Sequence, residues 1–596
     1  MAAMRVRQPT AAAVAALLLA TGTLAGCSGA PAPVRTPAPV PSSAAPTAVT
    51  GDVRPYDRAG VRDGGTLRWA LDAVPATLNL YQSAATADSA LLAHALYPAL
   101  FRPDEHGRAV PDPDYLLGAE STPPGRLPQV VTYRLNPHAV WSDGTPLSAA
   151  DFTAQRAALS GLDPAYTGTR PAGYDAIDSI TQGADPAEVE VTFRQPYAEW
   201  RALFGPLYPA AVTASPAAFN RPLAGGPQPT AGPFALSGPD GYDPAGGRVT
   251  LVRNPLWWGD EPRADRIDFL ATPPERRLDA LDQDRLDIAP ITAAVDRAQA
   301  APGTSADRAE AATQALRRAE TLPGVTVHRA AAASLTQLTL NAARAPLTDP
   351  AVRQALARAV DRRRIADAAL TPLGLAPAPL GSHLFAGDQD GYRDNADALG
   401  PADAGRLLDA AGWRRPKGGG TRTKDGRQLS LTLLIPSDSA TARRTADALA
   451  AGLAGAGIAV RPQAVPAETF VRTGLATGGY DLALFSWPAG PTPAVDQRPV
   501  YAKPRPGPDG ALETGSNYGR TGTEEIDRLF DRAAAELDPA AHLALLQEAD
   551  TRIWQLGHSV PLFQRPELVA VRTGIAGAGA WGYGWPRFQD VGLLTG

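Results

Sequence analysis

Cysteine is almost absent from this chain. Among 596 residues only Cys27 occurs, which excludes disulfides, thiolate metal sites and cysteine nucleophiles from the folded part. Lysine is nearly as scarce, at Lys417, Lys424 and Lys503, so positive charge is carried by arginine. The seven histidines, His94, His106, His138, His328, His383, His542 and His558, show no HExxH or other close ligand spacing. No GxSxG elbow and no phosphate-binding P-loop is present. Gly577-Ala-Gly579-Ala-Trp-Gly582 matches GxGxxG, but it lacks the following helix that a dinucleotide site needs. Asp388 to Asp394 lacks the twelve-residue ligand pattern of a calcium loop. A net charge of −5 over this length gives no reason to expect nucleic-acid binding. The residues therefore support no enzyme, no metal and no cofactor.

Long apolar runs are missing too, with one short exception. Arg5 and Arg7 precede an unbroken Ala/Val/Leu run from Ala11 to Ala20, and small residues lead to Leu24-Ala25-Gly26-Cys27. The run is shorter than the roughly 20 residues of a spanning helix, and its order is that of a secretory signal. The Cys27 context resembles a lipobox, which implies cleavage before Cys27 and a diacylglyceryl group on it. Two acyl chains anchor stably where one is marginal. From residue 28 to about 60 the chain is rich in Pro, Ala, Ser and Thr, a composition that buries no core and serves as a tether.

Folded sequence is expected from about Gly64. Strand-like runs occur at Thr66–Leu71, Val130–Leu135, Val189–Phe193, Val249–Val252, Leu335–Asn341, Leu429–Ile435, Tyr480–Phe485 and Leu568–Val571. One helix is expected from Asp349-Pro350, with Val352, Ala355, Leu356, Ala359, Val360 and Ile365 inward and Arg353, Arg358 and Arg362 outward. Another should follow Thr523-Glu524-Glu525. The Ala-rich stretch 300–320 reads as a helical surface insertion. Strands and helices mix without strict βαβ alternation, so the class is mixed α/β.

Several strings resemble, in order, the family-5 extracellular solute-binding proteins of ABC importers. They are Gly64-Gly65-Thr66-Leu67, Ala76-Thr77-Leu78-Asn79 and Val131 to Leu135. Next come Val140-Trp141-Ser142-Asp143-Gly144-Thr145-Pro146-Leu147 with Ala150-Asp151-Phe152, and Val252 to Gly259. The helix Asp349 to Arg362, Leu407 to Trp413 and Val560-Pro561-Leu562-Phe563 complete the series. The resemblance implies an α/β, two-lobed periplasmic-binding-protein type II fold with an extra third domain and a hinge-closing cleft. It implies a signal peptide over 1–26 and a lipidated tether over 27–60. Lobe 1 would combine 61–83, 223–330 and 556–596, the extra domain 84–222, and lobe 2 331–555. The implied function is capture of a peptide or other small solute by a monomer anchored on the extracytoplasmic face of the cell membrane, for delivery to ABC permease subunits.

One position departs from the family. Peptide-binding members end a strand in Trp-x-x-Asp, whose carboxylate pairs with the peptide ammonium. Here Trp487-Pro488-Ala489-Gly490 puts glycine at that place, and a buried ammonium without a counter-charge is costly. Substitution by Asp481 or Asp496 requires the loop to run differently. Gly173 to Ile180 and Val191 to Arg201 resemble a lipoprotein subfamily linked to phosphatidylinositol-mannoside assembly. That likeness implies an alternative, a non-transport envelope regulator or lipoglycan-binding protein. The expected ligand contacts are Asn79, Tyr81, Trp487, Ala489 and Gly490, with Cys27 as the lipid site.

Overall fold

In the computed structural model of the chain, the structure describes residues 50–169, 171–223, 228–297, 305–507 and 512–595. Its spine is an eleven-stranded sheet among these residues. The main strands are β1 (Thr66–Leu71), β2 (Arg248–Arg253), β3 (Arg266–Ala271), β4 (Ile288–Pro290), β5 (Val325–Leu340), β6 (Ser430–Pro436), β7 (Ala459–Val465), β8 (Leu482–Pro488) and β9 (Ser559–Arg572). From the Tyr242–Asp243 edge the order runs β2, β3, β1, β4, β9, β5, β8, β6, β7. β1 lies parallel to β3 and β4, and β6 lies parallel to β7 and β8. The central pair β5 and β9 is antiparallel.

That central pair makes two lobes of one sheet. β5 is 16 residues long and β9 is 14, so each passes from the first lobe into the second. Pairing is regular from Val325↔Arg572 to Ala331↔Pro566 and resumes at Leu335↔Gln564. Between these points Ala332, Ala333 and Ser334 face the single residue Arg565. A three-against-one irregularity breaks the ladder locally and bends the strands. It lies where the sheet crosses between lobes, and so marks the hinge.

The first lobe shares its core with an extra domain. A four-stranded antiparallel sheet there orders Leu116–Ser121, Gln129–Leu135, Glu188–Phe193 and Ile177–Gln182. Gln129, Val131, Tyr133 and Leu135 point inward, and Val130, Thr132 and Arg134 outward, the period-2 pattern of a half-covered sheet. Helix α1 (Ala149–Leu159) packs beside it. Its start explains the Trp141 to Phe152 string. The Asp151 carboxylate accepts from Trp141 Nε1, Ser148 N and Ala210 N at 3.2, 3.0 and 2.8 Å, tying the turn, the helix start and the first residue of the short helix Ala210–Thr213 together. Burial raises the Asp151 carboxyl above its usual range against those three donors.

The remaining helices used below are α2 (Thr292–Arg297), α3 (Ser305–Thr321), α4 (Pro350–Ala359), α5 (Arg362–Leu370), α6 (Ala440–Gly455), α7 (Pro493–Asp496), α8 (Glu524–Ala535) and α9 (Pro539–Leu556). α8 begins as expected, with Thr523 Oγ1 accepting from Ile526 N and Glu524, Glu525 and Asp527 in its first turn.

Several expectations need correction. The helix from Asp349 is two helices, because Val360 is extended and Asp361 opens α5 by accepting from Arg364 N. Arg353 is not outward. It is buried, donating to Leu347 O and Leu556 O, so the guanidinium holds carbonyls of two separate segments. α3 is more than a surface insertion, since Ala312, Leu316 and Ala319 are buried with Leu278, Leu281 and Leu568. The assignment of residues to 60 to the tether also fails at its end. Asp52–Val53 pairs with Ala580 and Gly579, and the Asp52 carboxylate accepts from Arg329 N at 2.8 Å and meets His328 Nδ1 at 3.0 Å. Cys27, the signal segment and the tether up to residue 49 lie outside the described residues.

Candidate functional site

Beside the hinge the two lobes enclose a chamber of about 350 Å³. The first lobe contributes α2, and the second contributes Pro436 to Thr445, Phe470 and the β8 residues Leu484, Phe485 and Ser486. The hinge strands supply Thr336, Phe563, Arg565 and Pro566. β8 reaches this wall because it pairs along β5 from Leu340↔Leu482 to Ser334↔Pro488. The lining is aromatic and aliphatic with interspersed hydroxyls. Thr336 Oγ1 and Ser486 Oγ share a hydrogen bond of 2.9 Å, while the buried Thr445 Oγ1 has no partner. Few convergent polar groups on an apolar wall are what small-molecule sites present.

Two contacts join the lobes within the lining of the chamber. Asp296 of α2 accepts from Ser439 Oγ at 2.6 Å and from Thr441 N at 2.8 Å, so a first-lobe carboxylate caps a second-lobe helix of 16 residues. Its neighbour Arg297 meets Asp438 at 3.4 Å. Both acidic residues of the lining thus have partners.

A second seam joins the extra domain to lobe 2. The buried Glu199 carboxylate accepts from Ala494 N at 2.8 Å and Val495 N at 3.1 Å, at the start of α7, and Ala198 N donates to Ala534 O. Burial, together with the nearby negative charge of Asp496, pushes the Glu199 carboxyl up to about 8 against the opposing pull of the two amides. His542 stands 3.9 Å away and is held below its usual value by burial.

The expected contact residues separate into two groups. Asn79 and Tyr81 sit in the interior of the first lobe and extra domain. Asn79 Oδ1 accepts from Tyr81 N, and Tyr81 Oη donates to Pro206 O at 3.0 Å beside Gln155. Neither lines the chamber. Trp487, Ala489 and Gly490 lie together beside the hinge, where Ala489 N donates to Ala333 O at 2.9 Å. The half-buried Trp487 stacks on Tyr518 at 5.8 Å and 10°, and its Nε1 has no partner. Gly490 O accepts from Gln389 Nε2.

The two acidic candidates near Gly490 are also separated. Asp481 is occupied structurally, by Arg344 Nε at 3.1 Å and Thr432 N at 2.9 Å. Asp496 is different. A Cβ built on Gly490 would stand 2.9 Å from Asp496 Oδ2, so this carboxylate fills the space that a side chain at 490 would take. Asp496 reaches solvent, yet surrounding protein desolvates its carboxyl and raises it, the situation of a charge on a concave wall. Thr492 Oγ1 donates to it at 2.6 Å. The α2 and Ser439 seam and Arg565 were not foreseen. Asp296-Arg297 carries no distinguishing local pattern, and Arg565 reads as one more strand residue beside Val560 to Phe563.

The family model for bacterial extracellular solute-binding proteins, family 5, matches residues 128–507. The chain belongs to this family. It is 36% identical over 586 residues to the oligopeptide-binding protein OppA of Mycobacterium tuberculosis, covering 97% of this chain and 93% of that one. It is 30% identical over 191 residues to the probable monoacyl phosphatidylinositol tetramannoside-binding protein LpqW of the same species, 30% of this chain and 28% of that one. Among solved structures, the periplasmic EDTA-binding protein EppA matches with a TM-score of 0.74 at 23% identity, over 92% of this chain and 99% of that one. The family-5 two-lobed fold follows.

Proposed function

We propose that this protein captures a small peptide-like solute in the inter-lobe chamber and delivers it to the permease of an ABC importer, held at the extracytoplasmic face of the membrane through Cys27. The observation that carries the reading is the partly enclosed chamber at the hinge of a family-5 chain, with a 36% identical relative named for oligopeptide binding. A solute touching α2 on one side and β8 on the other binds the closed form better than the open one, and this difference is what drives closure. Trp487, Ala489 and Gly490 form the adjoining wall, and Asp496 supplies a carboxylate where Gly490 has none. Asn79 and Tyr81 then act by building the first lobe and extra domain.

The test is native mass spectrometry of the full chain purified in detergent from membranes, with calorimetry against randomised short-peptide pools. Bound solute, or peptide binding near one per chain, is the expected result. A protein that carries nothing and gives flat titrations would overturn the reading. The alternative of a lipoglycan-binding envelope regulator rests on the likeness to LpqW over 30% of the chain. Crosslinking in membranes separates the two, by capture of a permease or of a glycosyltransferase.

A further inference from the structure

Arg565 stands apart from the other charged residues of the chamber. It lies at the three-against-one irregularity of the hinge, opposite Ala332, Ala333 and Ser334, and it lines the chamber with an exposed side chain. Its guanidinium has no hydrogen-bond or ion-pair partner among the described residues. The lining's other charges are engaged: Asp296 with Ser439 and Thr441, and Arg297 with Asp438. Arg297 and Asp438 offset each other, which leaves two charges of the lining without an ion pair, the hydrogen-bonded carboxylate of Asp296 and the guanidinium of Arg565, and of these only Arg565 has unused hydrogen-bond donors. Around it stand Phe563, Pro566, Phe485 and Leu484, the hydroxyl pair of Thr336 and Ser486, and the unpartnered Thr445 Oγ1.

We infer that Arg565 is a ligand-anchoring residue, and that the chamber takes a compact solute with an apolar body and a carboxylate, such as a short peptide held by its C-terminal end. The guanidinium is planar and fork-shaped, and it pairs a carboxylate in two parallel hydrogen bonds where lysine offers only a point charge. In a partly enclosed apolar chamber such a pair is stronger than on open surface. The volume suits a compact solute. At about 350 Å³ the chamber lies within the roughly 300–1,000 Å³ of ligand pockets, room enough for a small solute. Position adds another constraint. Both strands at Arg565 continue into each lobe, so a ligand held there is within reach of α2 and β8 together.

This inference rests on the chamber being the solute site, and the experiment keeps the two apart. Full-length protein in detergent is titrated with a randomised tripeptide pool bearing free carboxylates, and with the same pool amidated at its C-termini. Arg565→Gln and Arg565→Lys are titrated alongside, and native mass spectrometry records co-purified solute for each. The expected result is binding of the free-acid pool weakened at least tenfold by amidation and by Arg565→Gln, with partial retention in Arg565→Lys. Unchanged unfolding midpoints in the variants exclude a folding effect, as expected for an exposed side chain. Equal binding of both pools, equal binding by Arg565→Gln, or a co-purified solute without an acidic group would overturn the assignment and leave the solute site standing. If neither pool binds, a co-purified acidic solute lost in Arg565→Gln supports it. No bound solute of any kind sinks the assignment together with the proposed function.

Discussion

Glu199 and Asp296 both reach across a boundary to cap a helix of the second lobe, yet their surroundings are opposite. Glu199 is buried, with its carboxyl pushed up to about 8, and it holds the two first amides of a four-residue helix. Asp296 is half-buried beside the chamber and holds Thr441 N and Ser439 Oγ of a 16-residue helix. Opening the lobes would leave Ala494 N and Val495 N without acceptors unless water entered a closed seam. It would leave Thr441 N and Ser439 Oγ facing a chamber already lined with hydroxyls. The first contact is therefore expected to stay on opening, and the second to break and re-form. What distinguishes a fixed joint from a latch here is the solvent behind it, since the hydrogen bonds are alike.

The sharpest way to break this comparison is Glu199→Ala. Two buried N–H groups would lose their acceptor, an effect of about 2–4 kcal/mol. A lowered denaturant midpoint of lobe 2 and the extra domain is the expected outcome, and a midpoint within error of wild type would show the seam to be idle. The next effect is in pH. Because Glu199 keeps its proton in the folded state up to about 8, against an ordinary 4.5, the unfolded chain releases a proton that the native one retains. Stability therefore falls as pH rises between these values and levels off above them. His542, lowered from 6.5, works in the other direction below that value, so the window from about 6.5 to 8 isolates the carboxyl. Thermal midpoints that decline across this window in wild type but not in Glu199→Gln are expected. Asp296→Ala should have the smallest effect on stability, about 1 kcal/mol for a lost helix cap. Its mark is instead a larger radius of gyration without ligand in small-angle scattering. No change in that radius would mean that Asp296 is not a latch.

Much of the fold was legible because short strings carry it. Trp141 to Phe152 works as a unit through Asp151, so the string can be recognised as a whole. Asp349 with Pro350 announces a helix start by side-chain chemistry alone. The end of that helix was less visible, because Val360 continues the apolar spacing and only the extended backbone breaks it. Arg353 was misplaced for a related reason. Periodicity ranks an arginine as outward and does not see carbonyls 203 residues away in sequence that bind it. The site was less legible than the fold. Gly490 was visible as an absence, but the carboxylate of Asp496 comes near it only because the chain turns back through Thr492. Arg565 gains its meaning from a register break between strands more than 220 residues apart, and nothing in its neighbours announces that.

The register break also bears on timing. A point on the hinge moves least when the lobes swing, so it offers the same welcome to a solute in the open state as in the closed one. If Arg565 anchors the solute as proposed, its charge would act on arrival, drawing and orienting the solute before closure. The Asp296 contact needs the lobes together, so on the same reading it would form at the end of the swing and govern departure. On the proposed function, capture and retention would fall to different residues, so that the rate of one could be tuned without disturbing the other.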